Sequence, residues 1–186
     1  PTLREFVEQD YLPYAKQHKR TWRDDEIRLN KVILPRFGGC RIDEVTTREV
    51  QQFHTGMSTT HSVATANRYL AVVRRLYSLA NQWEVYGFNP ARNVKLFREN
   101  NARERYLSKT EIDRFLVALD ELPNRAIAAG LKFLLFTGLR KNEAFRLEWR
   151  NIDREQGTAF LPRTKNGKKR TVLLNALARG VIEEMW

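Results

Sequence analysis

The spacing of apolar and polar residues predicts that the first hundred residues of the chain are helical. Thr2 and Glu5 are spaced as a capping box, and apolar residues follow them at helical steps. We expect Pro13 to end or bend this helix, because proline has no N–H to give to a helix interior. Residues 21–33 form a second helical pattern. The sequence over 35–39, with its proline and paired glycines, should break it.

The longest helix is predicted from about residue 63 to residue 86. Thr46 and Glu49 form another capping box ahead of it, and the sequence over 87–90 should stop it. One face of this helix carries an apolar stripe at helical spacing, which consists of Ala66, Tyr69, Leu70, Val73, Tyr77 and Ala80. Four or five helices with no strand pattern between them should form a compact bundle.

The opposite face of the longest helix carries arginines around a small residue. Arg68 and Arg75 lie seven residues apart with Ala71 between them, and Asn67 and Arg74 flank them. A helix that reads a DNA groove needs this arrangement, in which long donors surround a residue small enough for the backbone to approach. The pattern fits a solvated arginine face equally well.

A polar, weakly periodic stretch over residues 91–106 indicates an interdomain linker. We therefore predict one helical domain over 1–90 and a second domain over 107–186. The second domain should open on a helix capped by Ser108 and Glu111.

The second domain is predicted to add a small antiparallel β element to its helices. The nearly all-apolar stretch 125–136 indicates a buried central helix that ends at Gly138, and a short helix should follow over about 140–147. Short strands are expected over 151–153 and 158–161.

An Asn-Gly pair at 166–167 is a strong hairpin signal, and it should join residues 160–164 to residues 170–174. Asn175 can cap a last helix over 176–186, whose apolar side would consist of Leu177, Val181, Ile182 and Met185. The predicted fold class is mainly α with a small antiparallel β element.

The net charge of the chain limits the classes of partner that it can bind. The 186 residues carry a formal net charge of +11, which favours a polyanionic partner, with nucleic acid first and an anionic membrane surface second. No apolar run is long enough to span a bilayer, and the start lacks the layout of a signal peptide, so a cytoplasmic protein fits best. One cysteine and three unclustered histidines predict no metal site, and we expect no cofactor.

Two cationic segments are the candidates for chemistry. Arg140 follows a glycine at a predicted helix start, where its planar guanidinium would be held in place for a phosphate; pairing with Glu143 alone is the structural alternative. Lys165 lies beside the predicted hairpin turn, where its ammonium can contact a base edge, give a proton to a leaving oxygen, or simply be solvated. The cationic run continues with Lys168, Lys169 and Arg170.

Together these segments resemble the tyrosine recombinase (phage integrase) family. The sequence 137–140 followed by Glu143, Trp149 and Asp153 is similar to the segment that carries the family's first catalytic arginine. The sequence 164–167, followed by the basic run and 172–174, is similar to its β-hairpin lysine segment, except that Leu173 stands where proline is common. Residues 65–69 and 89–90 are similar to its core-binding domain.

The resemblance implies a helical-bundle (SAM-like) DNA-binding domain followed by the start of an α+β catalytic domain. It implies site-specific DNA recombination, without metal, through a 3′-phosphotyrosine link. Arg140 and Lys165 would be catalytic, with Glu143 in support. DNA contacts would come from Thr65, Asn67, Arg68, Arg74, Arg75, Lys141, Arg163, Thr164, Lys168, Lys169 and Arg170. The partner would be double-stranded DNA, bound by a homo-tetramer in the complete protein and by a monomer of this chain.

The family's remaining catalytic residues, a His-x-x-Arg motif, a later His or Trp and the nucleophilic Tyr, have no counterpart here. The chain has no histidine after His61 and no tyrosine after Tyr106. We therefore expect it to be the front part of a bacterial or phage-encoded recombinase that binds DNA without cleaving it. A non-catalytic DNA-binding regulator on the same scaffold and a type IB topoisomerase relative are the alternatives.

Overall fold

Helices build the first of two units into which the chain divides, Pro1–Ala102, whereas the second, Arg103–Trp186, adds a small sheet. The computed structural model describes residues 1–100, 102, 104–162 and 168–186. Over these residues the prediction of a mainly α fold with a small antiparallel β element is confirmed. None of the helices described is long and apolar enough to cross a membrane.

The first unit begins with two helical hairpin arms that each contain a π-helical turn. The first arm comprises α1 (Leu3–Phe6), the π turn Val7–Tyr11 and α2 (Leu12–His18). The second comprises α3 (Trp22–Arg28), the π turn Leu29–Ile33 and α4 (Leu34–Phe37). The capping box of Thr2 and Glu5 is confirmed at the start of α1.

Pro13 does not end the first arm, and the second arm continues through Pro35 as far as Phe37, inside the predicted break over 35–39. Pro13 and Pro35 each lie in the first turn of the α-helix that follows a π turn. The residue before each proline bonds to a carbonyl five residues back, as Leu12 does to Val7. The wider turn accommodates a residue that cannot donate an N–H, so the helix continues past it.

The long helices of the first unit are α5 (Thr47–Thr60), which opens on the predicted Thr46–Glu49 capping box, and α6 (Val63–Gln82). The predicted core stripe of α6 is buried along its whole length. The helix ends four residues earlier than predicted, because Glu84 adopts a left-handed backbone (φ 59°). The N–H groups of Val85 and Tyr86 then bond back to the carbonyl of Ala80.

The chain after α6 packs back onto the first unit. Ala91 and Val94 are buried in its core, and the Arg74 guanidinium donates hydrogen bonds to both of their carbonyls, at 3.2 and 2.7 Å. The domain limits drawn from the sequence, with a linker over 91–106, remain predictions.

The second unit packs three helices and a short one around an antiparallel sheet of order β1-β2-β3, as far as the described residues show. Its elements are α7 (Lys109–Asp120), α8 (Arg125–Thr137), α9 (Lys141–Ala144), a 3-10 turn (Trp149–Asn151), β1 (Ile152–Asp153), β2 (Thr158–Leu161), β3 (Arg170–Leu173) and α10 (Ala176–Met185). In the sheet Ala159 lies opposite both Ile152 and Val172. The predicted hairpin turn at 166–167 lies outside the described residues.

Two burial predictions for this unit are wrong. Helix α8 buries one face, through Ala128, Ala129 and Phe133, whereas its Ile127 is 44% exposed. Leu177 of α10 is 62% exposed. A small sheet and its neighbouring helices cover only one side of each of these helices, so apolar composition alone overstates their burial.

Candidate nucleic-acid interface

Gly138 and Leu139 determine where Arg140 lies. Gly138 ends α8 in a left-handed conformation (φ 63°), and its N–H bonds to the carbonyl of Leu134 at 3.0 Å, as the sequence predicted for a glycine C-cap. Leu139 is then buried in the core of the second unit, and Arg140 is the N-cap residue of α9. The guanidinium therefore starts from a backbone that is anchored on both sides.

The carboxylate of Glu143 joins two arginines from different parts of the second unit. Its Oε1 accepts a hydrogen bond from Nη1 of Arg140 at 3.0 Å, and its Oε2 accepts one from Nη2 of Arg170, also at 3.0 Å. Oε2 also accepts the backbone N–H of Arg140 at 3.2 Å, which completes the cap of α9. The structural pairing of Arg140 with Glu143 is thus present.

In this cluster the carboxylate of Glu143 is buried, whereas the guanidinium groups of Arg140 and Arg170 are exposed. The Glu143 side chain is 6% exposed, whereas the Arg140 side chain is 58% exposed and that of Arg170 is 46% exposed. Burial acts to raise the pKa of Glu143, but hydrogen bonds from Arg140 and the charges of Arg140 and Arg170 outweigh it, so the pKa lies below its ordinary value. Two guanidiniums against one carboxylate leave a net positive charge that faces solvent.

Other predicted cations of the second unit lie at its surface. Lys141 is exposed next to Arg140, and Lys168 and Lys169 are exposed just before β3. Leu161, the last residue of β2, pairs with Arg170, the first residue of β3, and Arg170 is the residue that contacts Glu143. Arg163, Thr164 and Lys165 themselves lie outside the described residues.

The arginine face of α6 is divided between surface and structure. Arg68, Ala71 and Arg75 are exposed, as predicted. Thr65 is half-buried and bonds through its hydroxyl and its N–H to the hydroxyl of Ser62, the N-cap residue of α6.

Asn67 and Arg74, which were predicted to bind DNA, are engaged inside the first unit. Asn67 is 5% exposed; its amide donates to the Phe97 carbonyl and to the Glu99 carboxylate, and its oxygen accepts the N–H of Phe97. Arg74 is half-buried against the carbonyls of Ala91 and Val94. Both side chains hold residues 91–99 against α6, a task that needs partners far along the chain.

A group of charged residues beside Arg68 and Arg75 was not predicted from the sequence. Asp25 is 2% exposed and interacts with Tyr11, Lys19 and Arg28. A signal was present, because Asp25 lies four residues before Leu29 and eight before Ile33, which are both fully buried. Asp25 also lies in the first turn of α3, where the helix dipole favours an acidic residue whether it is exposed or buried.

Comparison with known proteins identifies the class. The N-terminal SAM-like domain model of phage integrases matches residues 2–58, and the phage integrase family model matches residues 105–186. The two models together cover most of the chain, which therefore belongs to the phage integrase family of tyrosine recombinases.

Individual relatives agree with this assignment. The shufflon-specific DNA recombinase of Escherichia coli is 27% identical over 94% of this chain and 48% of the relative. A lambda integrase dimer bound to a core site has a similar fold, with a TM-score of 0.81 and 16% identity over 99% of this chain and 54% of that one. The Tn1549 transposon integrase in complex with circular intermediate DNA gives a TM-score of 0.75 and 18% identity, over 98% of this chain and 64% of the integrase chain. The chain spans about half the length of the curated relatives it matches.

Proposed function

We propose that this chain binds double-stranded DNA and supplies part of the active centre of a site-specific recombinase, which in its complete form cuts and rejoins DNA. The observation that carries this proposal is the Arg140–Glu143–Arg170 cluster, in which a buried carboxylate fixes a guanidinium that stays 58% exposed. A fixed, open guanidinium matches the bidentate geometry of a phosphate. The named activity of the E. coli relative and the DNA complexes of the solved integrases support the same function.

Arg140 binds the non-bridging oxygens of the scissile phosphate and stabilises the charge that accumulates there in the transition state. Glu143 positions Arg140 and does not touch DNA. Lys165 protonates the 5′-oxygen as that oxygen leaves the phosphorus. A tyrosine attacks the phosphorus and forms a 3′-phosphotyrosine link. The chain has no tyrosine after Tyr106, so these 186 residues bind DNA without cleaving it.

The DNA-binding surface comprises the exposed side chains Arg68 and Arg75 of the first unit and Lys141, Lys168 and Lys169 of the second. Arg163 and Thr164, which lie outside the described residues, are assigned to DNA contact from the sequence alone. Asn67 and Arg74 are left out of it, because their donors are engaged within the first unit. This chain binds as a monomer, and the complete protein assembles as a tetramer on DNA.

Covalent trapping tests the catalytic part of the proposal. The complete protein is incubated with a labelled duplex that carries its site, and the denaturant-resistant protein–DNA adduct is quantified. Arg140→Ala should lower the rate of adduct formation by about 10²- to 10³-fold. Arg146→Ala is the matched control, because Arg146 is exposed and lies only six residues away. Equal adduct formation by Arg140→Ala and the unaltered protein would contradict the catalytic assignment.

A binding titration tests the DNA-binding part on the chain as it stands. The apparent affinity for duplex DNA should fall steeply with salt, because several condensed counterions are released on binding. Charge reversal by Arg68→Glu and Arg75→Glu should weaken binding far more than the opposite change, Glu184→Lys, strengthens it. Affinity that stays constant from low to physiological salt would exclude a phosphate-directed interface.

A further inference from the structure

A depression of about 240 Å³ in the first unit gathers cations from three separate segments. Lys19 follows α2, Arg28 ends α3, and Arg68 and Arg75 come from α6, with Ala71 between the last two. Tyr11 and Asp25 form its floor, since they are 1% and 2% exposed. The residues are spread over 65 positions of the sequence (11 to 75 inclusive), so the site could not be predicted from a local sequence motif.

Asp25 organises the depression from below. Its Oδ2 accepts a hydrogen bond from the Tyr11 hydroxyl at 2.6 Å and forms an ion pair with Lys19, and its Oδ1 lies 3.9 Å from Nη1 of Arg28. A carboxylate this deeply buried has to be compensated by protein groups. It therefore holds Lys19 and Arg28 near the mouth, while four cations against one acid leave a formal excess of three positive charges.

The two α6 arginines keep most of their donors available. Over the described residues Arg68 makes no hydrogen bond or ion pair, and Arg75 makes one weak hydrogen bond, at 3.4 Å to the Tyr14 hydroxyl. A guanidinium has five N–H donors, so most are open to a ligand. Ala71 is exposed between them and leaves room for a group to enter.

We propose that this depression seats a backbone phosphate of DNA, and so fixes the register of the first unit on the duplex without reading sequence. The proposal rests on the proposed function. Base edges present both donors and acceptors, whereas a phosphate presents acceptors alone. The mouth of the depression offers cationic donors from Lys19, Arg28, Arg68 and Arg75, and the acceptor beneath them, Asp25, is already engaged. Arg68 and Arg75 thus serve as phosphate ligands and not as groove readers.

Fluorescence anisotropy with the whole chain and two duplexes of unrelated sequence tests whether the depression, called here the phosphate seat, binds a DNA phosphate. Lys19→Ala and Arg28→Gln should each weaken binding roughly fivefold to tenfold at about 0.1 M salt, and equally on both duplexes. Each change should also lower the slope of log affinity against log salt by about one. Lys31→Ala and Arg48→Gln are the controls, because both residues are exposed and neither lines the depression.

Loss of Lys19 also removes a partner of Asp25, so thermal unfolding of each variant is measured alongside binding. Arg68→Gln removes no hydrogen bond or ion pair among the described residues, and it should show the same uniform loss without a change in melting temperature. Wild-type affinity in Lys19→Ala and Arg28→Gln would overturn the seat, and so would a loss confined to one duplex. The proposal would also be overturned if Lys19→Ala abolished the binding of inorganic phosphate but left the affinity for DNA unchanged. If the unaltered chain fails to bind DNA, that result contradicts the proposed function and, with it, the phosphate seat.

Discussion

Glu143 connects the start of α9 to strand β3, because its Oε2 accepts a hydrogen bond at 3.0 Å from Nη2 of Arg170, 27 residues further along the chain. The same carboxylate holds Arg140 through its other oxygen. The position of Arg140 therefore depends on strand β3, which begins at Arg170. Arg170, predicted from the sequence as a DNA ligand, has a second task in the structure as a partner of Glu143.

Replacing Arg170 should affect catalysis more than binding. In the complete protein we expect Arg170→Gln to slow adduct formation about tenfold, equivalent to about 1.4 kcal/mol, because Glu143 then holds Arg140 without its second anchor. Its effect on DNA affinity should be smaller than that of Lys169→Gln, because Arg170 is paired with Glu143, whereas Lys169 is exposed and forms no ion pair among the described residues. Single-turnover adduct formation and equilibrium anisotropy separate the two quantities. If Arg170→Gln and Lys169→Gln changed both quantities alike, Arg170 would be an ordinary DNA contact.

The same glycine-to-alanine change should have opposite effects at two positions of the second unit. Gly138 has φ +63°, a conformation that costs an alanine about 1–2 kcal/mol, so Gly138→Ala should destabilise the unit by about 1 kcal/mol. Gly180 lies inside α10, and apart from its chain neighbours and the nearby helix backbone no atom lies within 4 Å of the place that an alanine methyl would take, so Gly180→Ala should stabilise the unit by up to about 1 kcal/mol. Thermal unfolding measures both. Gly138→Asn should be milder than Gly138→Ala, because asparagine tolerates this conformation; equal losses would mean that the backbone relaxes.

Removal of the Asp25 carboxylate should destabilise the first unit. Asp25→Ala leaves the buried Tyr11 hydroxyl without its acceptor and releases Lys19, so we expect a loss of about 2–3 kcal/mol. For a unit of this size that corresponds to a melting temperature lower by roughly 10–20 °C. Asp24→Ala is the matched control, because Asp24 is exposed on the same turn of α3. A loss as small as that of the control would show that water replaces the carboxylate.

Features fixed by a few neighbouring residues could be predicted from the sequence. The Thr46–Glu49 and Ser108–Glu111 boxes and the left-handed Gly138 all appear in the structure, since each depends on residues within one helical turn. The turns at Pro13 and Pro35 were missed, because proline signals a disrupted hydrogen bond but does not say whether the helix ends or widens.

The candidate site could be predicted only in part, because its geometry depends on distant partners. The glycine before Arg140 marked its helix start, whereas the bond between Glu143 and Arg170 joins residues that only the sheet brings together. Asn67 was expected at the surface but is buried, again because of a distant partner. Its place beside Arg68 suggested a surface role, but Phe97, 30 residues away, receives its side chain.

His54 lies at the centre of the contacts that hold residues 97–99 on α6. Its Nε2 is 3.0 Å from the Asn67 oxygen, and its ring stacks on Phe97 with centroids 4.2 Å apart. The Asn67 oxygen can only accept, so Nε2 carries the proton and Nδ1 is the bare nitrogen of a neutral ring. Nδ1 is buried, and no hydrogen-bond partner reaches it among the described residues. Desolvation lowers the pKa of His54, the hydrogen bond to Asn67 partly offsets this, and the charge of Arg74 lowers it further.

Mild acid should therefore weaken the first unit through His54. Below an unfolded-state pKa of about 6.5 the unfolded chain binds a proton that the native ring does not, so the free energy of unfolding falls until the pH reaches the lower native pKa. Above about pH 6.5 the contribution is constant. The melting temperature should drop as the pH falls below about 6.5, and His54→Gln, which cannot titrate, should show a smaller drop. His18→Gln is the matched control, because the same substitution is then made at an exposed histidine of the same unit. A pH dependence unchanged in His54→Gln would mean that another group is responsible, and NMR titration of the ring would then give an ordinary pKa.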